Sequence, residues 1–423
     1  MVLIASCFSP VLQGYYYTFG GVLALRVFVE LGLSNVIMQF ASHEWSRLRL
    51  DSQGRITGES GALSRLVSLG RVAFGWYLLA GIILALAVGI GGYLFFLEAA
   101  DSGVNWVGPW IALCGLSGIN LWFVPVWSLL EGSNQVGAVY AFRLTNAIVT
   151  NSATWIAVLM GAGLWAGAAS AATGIAWSIV FLYWRHWPFF QVFHTAIMGP
   201  RVSWRYDVWP FQWRIALSWL SGFFIFSLFT PMMFHYHGAI IAGQMGMTWG
   251  AVSLLGAMSG VLTGAKVPRF GILIARREYT ELDHLFFRVA GASIGVLVLG
   301  AIAVWLVTYS LYVLHHPFST RLLPPLPTGL FLVGQVFMCS SSPLAAYLRA
   351  HKREPFLQLS VVSGVLVGLL TWLLGSRFGA TGAGLAYFVV SAFFVLPYGV
   401  WIWRRSRVAW HSSSVDCTIR SCV

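Results

Sequence analysis

Two opposite charges lie four residues apart in an apolar stretch: Arg26 and Glu30, inside GYYYTFGGVLALRVFVELGLSNVIMQF (residues 14–40). A charge at the centre of a bilayer costs about 2.5–3.5 kcal/mol on insertion scales. Residues that bear such a cost face a protein interior or a water-filled cavity, usually with a partner. On a continuous helix, positions i and i+4 share a face, so this spacing expects both charges on one side. Two chemistries fit. In one, the pair neutralises itself and the role is structural. In the other, Arg26 offers its guanidinium fork to a phosphate. Glu30 then holds Arg26 while the site is empty, or takes a proton.

Arg143 is the third candidate. It lies about two turns into an apolar run beginning near residue 136. Its long side chain can snorkel to the interface, or turn inward and make a cavity with Arg26 more cationic. Glu131 and Asn134-Gln135, just before it, read as loop. His235 and His237 are spaced i, i+2 and do not share a helix face. Like His315-His316, they read as interface histidines rather than metal ligands. Tyr15, Tyr16 and Tyr17 read as an aromatic belt at the membrane boundary. The five cysteines (Cys7, Cys114, Cys339, Cys417 and Cys422) show no CxxC spacing, so neither a zinc site nor a disulfide framework is expected. The sequence has no P-loop, GxSxG or HExxH signature and no acidic loop motif. No metal, cofactor or catalytic residue is expected, and the chain does not read as an enzyme.

The elements that carry these residues are set by composition. Hydrophobic residues make up 58% of the 423-residue chain and charged residues 9%, against about 25% charged in soluble proteins. Eleven apolar runs are long enough to span: 14–40, 70–97, 106–130, 136–159, 164–184, 211–234, 239–267, 286–314, 326–348, 356–375 and 379–403. None alternates in the manner of a membrane barrel. If the runs alternate in direction, twenty-two of the 25 Lys and Arg fall on one side. Only Arg321 and Arg377 fall on the other, whose loop near residue 100 carries Glu98 and Asp101 without a base. Clusters such as Arg47, Arg49 and Arg55, or Arg349, Lys352 and Arg353, follow the positive-inside pattern. The basic side, with the C-terminus, is therefore expected in the cytoplasm. The basic residues form no continuous face, so the net charge of +12 does not point to nucleic acid.

The two halves read as a parallel repeat. YTFGGVL from Tyr17 aligns with MTWGAVS from Met247 at an offset of 230, and Thr18, Gly20, Val22, Leu25 and Phe40 find Thr248, Gly250, Val252, Leu255 and Phe270. Arg26 and Glu30 fall on Gly256 and Gly260, so the repeat itself does not call for the charges. TWIAVLMGAGLWAG from Thr154 resembles TWLLGSRFGATGAG from Thr371, and each leads to a run ending in Trp-Arg. Repeated halves with a binding site between them are a transporter pattern. The expected organisation is an N-terminal bundle over 1–200, a C-terminal bundle over 201–410 and a cytoplasmic tail over 411–423. Glycines such as Gly20, Gly21 and Gly32, with Pro125, Pro231, Pro268 and Pro343, allow close or bent helices.

SPVLQGYYYTFGGVLALRVFVELGLSNVIMQFASHEW (Ser9–Trp45) resembles the opening of bacterial polysaccharide exporters of the O-antigen flippase type. These belong to the multidrug/oligosaccharidyl-lipid/polysaccharide exporter superfamily. Glu30-Leu31-Gly32-Leu33-Ser34 matches that group's acidic-x-Gly-x-Ser element, and GAGLWAGAASA and FGATGAGLAYFVVS resemble its Gly/Ala-rich outer turns. The resemblance implies an all-α polytopic protein of two six-helix bundles around a central cavity. Here the first helix is expected to be cut short, with residues 1–10 as its stump. It implies a flippase or exporter for an undecaprenyl-diphosphate-linked oligosaccharide in the inner membrane, working by alternating access. Arg26, Glu30 and Arg143 would be the substrate-binding residues, with Arg26 attracting the diphosphate. Membrane lipids, a polysaccharide polymerase and chain-length proteins would be the partners. Two other readings remain: a small-molecule antiporter of the same superfamily, which calls for an acidic cavity, and a membrane glycosyltransferase, polymerase or ligase, which calls for a large outer loop.

Overall fold

The computed structural model describes residues 2–98, 103–194, 199–351 and 355–420. Asp101, Lys352, Arg353 and Cys422 lie outside the described residues, as does the side chain of Cys417. The chain forms two compact units, Met1–Leu220 and Ser221–Val423.

The first unit opens with the short helix α1 (Val2–Cys7), followed by α2 (Pro10–Leu23). Ser9 caps α2: its hydroxyl accepts from the Leu12 N–H at 3.2 Å, and Pro10 stands at the first helical position, where a missing N–H costs nothing. Next come a tight 3-10 turn (Ala24–Arg26), the single turn α3 (Val27–Glu30) and α4 (Leu33–Trp45). A two-stranded hairpin, β1 (Leu48–Leu50) and β2 (Ile56–Gly58), sits in the basic loop that followed the first expected span. Asp51 closes its turn by accepting from the N–H groups of Gln53 and Arg55, both at 2.8 Å. The unit continues with α5 (Ser60–Ile83), α6 (Gly89–Leu97), α7 (Val107–Leu121), α8 (Val124–Gly132), α9 (Val136–Leu159), α10 (Trp165–Arg185) and α11 (Trp187–Gln191). Its aromatic core gathers Tyr15, Phe19, Phe96 and Trp110, with ring centroids 4.9–6.4 Å apart between neighbours. Tyr15 is therefore fully buried and takes no part in a lipid-facing belt.

In the second unit, entered within α12 (Trp209–Phe226), follow α13 (Phe229–Gly264), α14 (Val267–Ala275), α15 (Tyr279–Val313), α16 (Pro325–Ala350), α17 (Leu357–Val390) and α18 (Leu396–Arg420). Phe229, Trp249, Phe331 and Tyr387 form its core, with centroids 4.8–6.0 Å apart.

Among the described residues, seven helical stretches are long and apolar enough to cross a membrane. An eighth forms if Pro10–Glu30 and Leu33–Trp45, bent by 45°, count as one span. Two stretches, Gln212–Ile274 and Leu357–Trp410, run to 63 and 54 residues. At about 1.5 Å per residue each far exceeds the ~30 Å of bilayer hydrocarbon. Each contains one glycine with non-helical backbone, Gly238 (φ 82°, ψ 175°) and Gly379 (φ 59°, ψ −145°). Divided there, they give the paired runs expected from the sequence. The helix α9, which carries Arg143, Asn146 and Asn151, occupies the remaining expected position. The protein is an all-α polytopic membrane protein.

Candidate functional site

The charged stretch is not a continuous helix. Its hydrogen bonding tightens to a 3-10 turn at Ala24–Arg26, and α3 lasts one turn. Leu31 (φ 50°) and Gly32 (φ 64°) then take left-handed backbone. A mid-helix 3-10 segment marks a hinge or a strained site. Glycine is required at 32 on two counts. It accepts positive φ without a Cβ penalty, and a Cβ there would lie 2.5 Å from Ile215 Cγ2. Leu31 has no such freedom and is held in an uncommon conformation by the bend around it.

The two charges do not pair, contrary to the expectation from i, i+4 spacing. Glu30 is buried. It accepts a hydrogen bond from Ser34 Oγ at 2.8 Å, and the Tyr77 hydroxyl donates to it at 3.4 Å. Arg26 is exposed and, among the described residues, makes neither an ion pair nor a hydrogen bond. The side chains have different partners: Arg26 opens into a pocket, whereas Glu30 is taken by the Ser34 and Tyr77 hydroxyls. Glu30 thus rests on hydroxyl donors within unit 1 and stabilises the bend. Hydrogen bonds to a charged group are worth about 1.5–3 kcal/mol.

Arg26 instead lines a pocket of about 270 Å³. Gly20, Leu23 and Ala24 form one wall, while Ser117 and Asn120 of α7 supply the other polar groups. Gly20 has no atom within 4 Å of where its Cβ would stand, so it leaves the pocket open. A guanidinium, a hydroxyl and an amide, with no carboxylate among the lining residues, can receive an anion. Ser117 and Asn120 went unnoticed in the sequence, although their i, i+3 spacing in an apolar helix puts them on one face.

Arg143 stands apart from this pocket. Its guanidinium meets Glu131 at 2.6 Å and lies over the Tyr140 ring, 5.2 Å from its centroid, with about half its side chain exposed. Glu131 is thus an ion-pair partner rather than plain loop. His237 Nε2 lies 2.7 Å from the carbonyl oxygen of Gly375, and its ring packs 3.7 Å from where a Cβ on Gly379 would stand. That contact ties the two backbone breaks of the second unit together. His316 Nδ1 accepts from the Phe318 N–H at 3.2 Å, closing a turn. No cluster of three or more metal-ligating side chains occurs among the described residues.

No protein-family model matches the sequence, and no curated protein matches it. Solved structures do. An inward-facing multidrug resistance MATE family transporter of the MOP superfamily is 13% identical, with 95% of this chain and 94% of that chain covered and a TM-score of 0.60. The lipid II flippase MurJ, in an inward closed conformation, is also 13% identical with a TM-score of 0.60, covering 95% of this chain and 83% of that one. The MATE multidrug transporter DinF-BH is 11% identical with a TM-score of 0.56, over 96% and 93% of the two chains. The chain shares the fold of these transporters.

Proposed function

We propose that this chain is a flippase of the bacterial inner membrane. It moves an undecaprenyl-diphosphate-linked oligosaccharide, an O-antigen or related surface-polysaccharide unit, from the cytoplasmic to the periplasmic leaflet by alternating access. The observation that carries the reading is Arg26: a guanidinium inside a membrane span, without a partner among the described residues, facing a pocket that also offers a hydroxyl and an amide. Guanidinium–phosphate hydrogen bonds are charge-assisted and frequently bidentate, and an anion in the pocket supplies the partner that this cation lacks. The resemblance of Ser9–Trp45 to polysaccharide exporters and the fold shared with a lipid II flippase support a lipid-linked substrate.

Because Glu30 does not hold Arg26, loading breaks no salt bridge. The guanidinium meets the diphosphate already free, while Glu30, Ser34 and Tyr77 keep the bend that presents it. The polyprenyl tail stays in lipid while the headgroup crosses. The C-terminus lies in the cytoplasm, where most Lys and Arg fall. A polysaccharide polymerase and chain-length proteins consume the delivered unit.

A drug antiporter is the second reading, favoured by the fold shared with two multidrug transporters. Arg26 separates the two, since a cationic drug gains nothing from a guanidinium. The test is deletion of the gene, followed by assay for lipid-linked repeat units on the cytoplasmic leaflet. They should accumulate, with surface polysaccharide lost. Complementation by Arg26→Ala should fail and by Arg26→Lys should be partial. Full export with alanine, or intact surface polysaccharide in the deletion strain, overturns the proposal.

A further inference from the structure

Next to the Arg26 pocket, and sharing Asn120 with it, the first unit holds a second cavity of about 440 Å³ between α7, α8, α9 and α10. No charged side chain lines it. Its polar groups are those of Asn120, Asn146, Thr150, Ser170 and Ser178. Trp127 and Phe142, stacked with centroids 3.6 Å apart and planes 17° apart, give it an apolar wall. Sequence reading had absorbed none of these residues into a function.

The cavity's hydroxyl protons are already committed, while its two asparagines bring both amide donors and acceptor oxygens. Thr150 Oγ1 donates to the Asn146 carbonyl at 2.7 Å, Ser178 Oγ to the Gly174 carbonyl at 2.8 Å, and Ser170 Oγ to the Thr150 carbonyl at 3.3 Å. Each hydroxyl proton is thereby directed at backbone, and each oxygen keeps lone pairs that only an outside donor can fill. The Asn146 side-chain oxygen is buried with no partner among the described residues. An unsatisfied buried polar atom costs about 1–3 kcal/mol, so the cavity calls for a ligand rich in donors. A phosphate accepts from the asparagine amides but leaves the Asn146 oxygen and the hydroxyl lone pairs unfilled. A cation finds no carboxylate. A sugar ring brings neutral hydroxyl and amide donors, and its C–H faces suit an aromatic wall.

We infer that this cavity is a subsite for an uncharged sugar ring, set beside the anion pocket so that a sugar diphosphate lies across both, with its phosphates at Arg26 and its first sugar against Asn146, Ser170 and Trp127. The inference rests on the function proposed above and names which part of the substrate the second cavity takes. Sugar specificity then belongs to α9 and α10, and headgroup charge recognition to Arg26.

The test measures affinity of the purified full chain in nanodiscs, by native mass spectrometry, for two probes: undecaprenyl diphosphate and undecaprenyl-diphosphate-linked N-acetylglucosamine. Wild type should bind the glycosylated lipid about tenfold tighter than the bare one, the worth of one or two net hydrogen bonds. Asn146→Ala and Ser170→Ala should each reduce that preference about three- to tenfold while affinity for the bare lipid holds, which also shows that the variants fold. Arg26→Ala should weaken both probes alike. Equal binding of the two lipids by wild type overturns the subsite, as does a preference that survives Asn146→Ala and Ser170→Ala, or an equal loss of both probes in those variants. In those cases an effect of Arg26→Ala leaves the flippase reading standing. If Arg26→Ala changes neither affinity, the flippase reading falls, and binding of neither lipid by wild type overturns both.

Discussion

At the repeat offset of 230 residues, Arg26 of the first unit stands against Gly256 of the second, and the two positions have opposite surroundings. Around Arg26 the backbone is a 3-10 turn and the side chain opens into a pocket. Around Gly256 the helix α13 is regular, and a Cβ would lie 2.2 Å from Gln335 Nε2. That amide is already committed: Gln335 Oε1 accepts from the buried Tyr387 hydroxyl at 2.5 Å, and Nε2 donates to Cys339 Sγ at 3.3 Å. At Gly256 a polar network satisfies itself across packed helices, whereas Arg26 and the Asn146 side-chain oxygen have no partner among the described residues and border open cavities. Buried polar groups without partners are costly. Those of Arg26 and Asn146 lie beside adjoining cavities of the first unit, and the ligand site proposed above rests on them.

The largest expected effect comes from exchanging the two residues. Gly256→Arg has no room, and it drives an unpaired guanidinium into a hydrogen-bonded core. Removing the partner of a buried charge costs about 3–5 kcal/mol, and creating such a charge outright should cost at least that. Little or no monodisperse protein should be recovered by fluorescence-detected size exclusion. Arg26→Gly, in contrast, removes a side chain without an ion pair or hydrogen bond. It should yield normal amounts of folded protein whose affinity for undecaprenyl diphosphate is about 10- to 100-fold lower, the loss of a charged hydrogen bond of about 1.5–3 kcal/mol. Good recovery of Gly256→Arg, or collapse of Arg26→Gly, would mean that the contrast between the halves is misread.

A smaller effect separates two glycines of the aligned helices. Gly32 has positive φ and no room for a Cβ, so Gly32→Ala should lower stability by about 1–3 kcal/mol, seen as earlier thermal unfolding in detergent. Gly260, the position aligned with Glu30, lies in regular helix with nothing within 4 Å of its Cβ site. Gly260→Ala should gain up to about 1 kcal/mol from helix propensity. A loss at 260 as large as at 32 would show that both halves need a flexible joint there.

What the sequence disclosed and what it hid follow from the range of the forces concerned. The spans were legible because crossing a bilayer demands about 20 apolar residues in a row, and even the divisions near Gly238 and Gly379 fell between separate apolar runs. The break at 24–32 was not. Hydropathy does not distinguish 3.0 from 3.6 residues per turn, and only Gly32 hinted at a left-handed residue. Nor does the i, i+4 spacing disclose that Glu30 takes the Ser34 and Tyr77 hydroxyls as partners in place of Arg26. Ser117, Asn120, Asn146 and Ser170 were passed over because small uncharged residues are ordinary in membrane helices. Only the fold reveals that those of α7, α9 and α10 converge on neighbouring cavities. Tyr15 was misassigned for the converse reason: an aromatic at a span end suits a belt until Phe19, Phe96 and Trp110 are seen to enclose it.

The smallest effect is an expected absence. If Arg26 and Glu30 do not pair, their substitutions should not interact. A double-mutant cycle of Arg26→Ala with Glu30→Gln, read as thermal or chemical unfolding in detergent, should give a coupling energy below about 0.5 kcal/mol, the scatter seen for sites without shared contacts. Each single change should act through its own neighbours: Glu30→Gln by weakening the bonds from Ser34 and Tyr77, Arg26→Ala by almost nothing in the empty protein. Contacting charges usually couple by about 0.5–3 kcal/mol. A coupling above about 1 kcal/mol would therefore restore the salt bridge, make Arg26 a self-neutralised residue like Arg143 with Glu131, and remove the free cation from the pocket on which the proposed function rests.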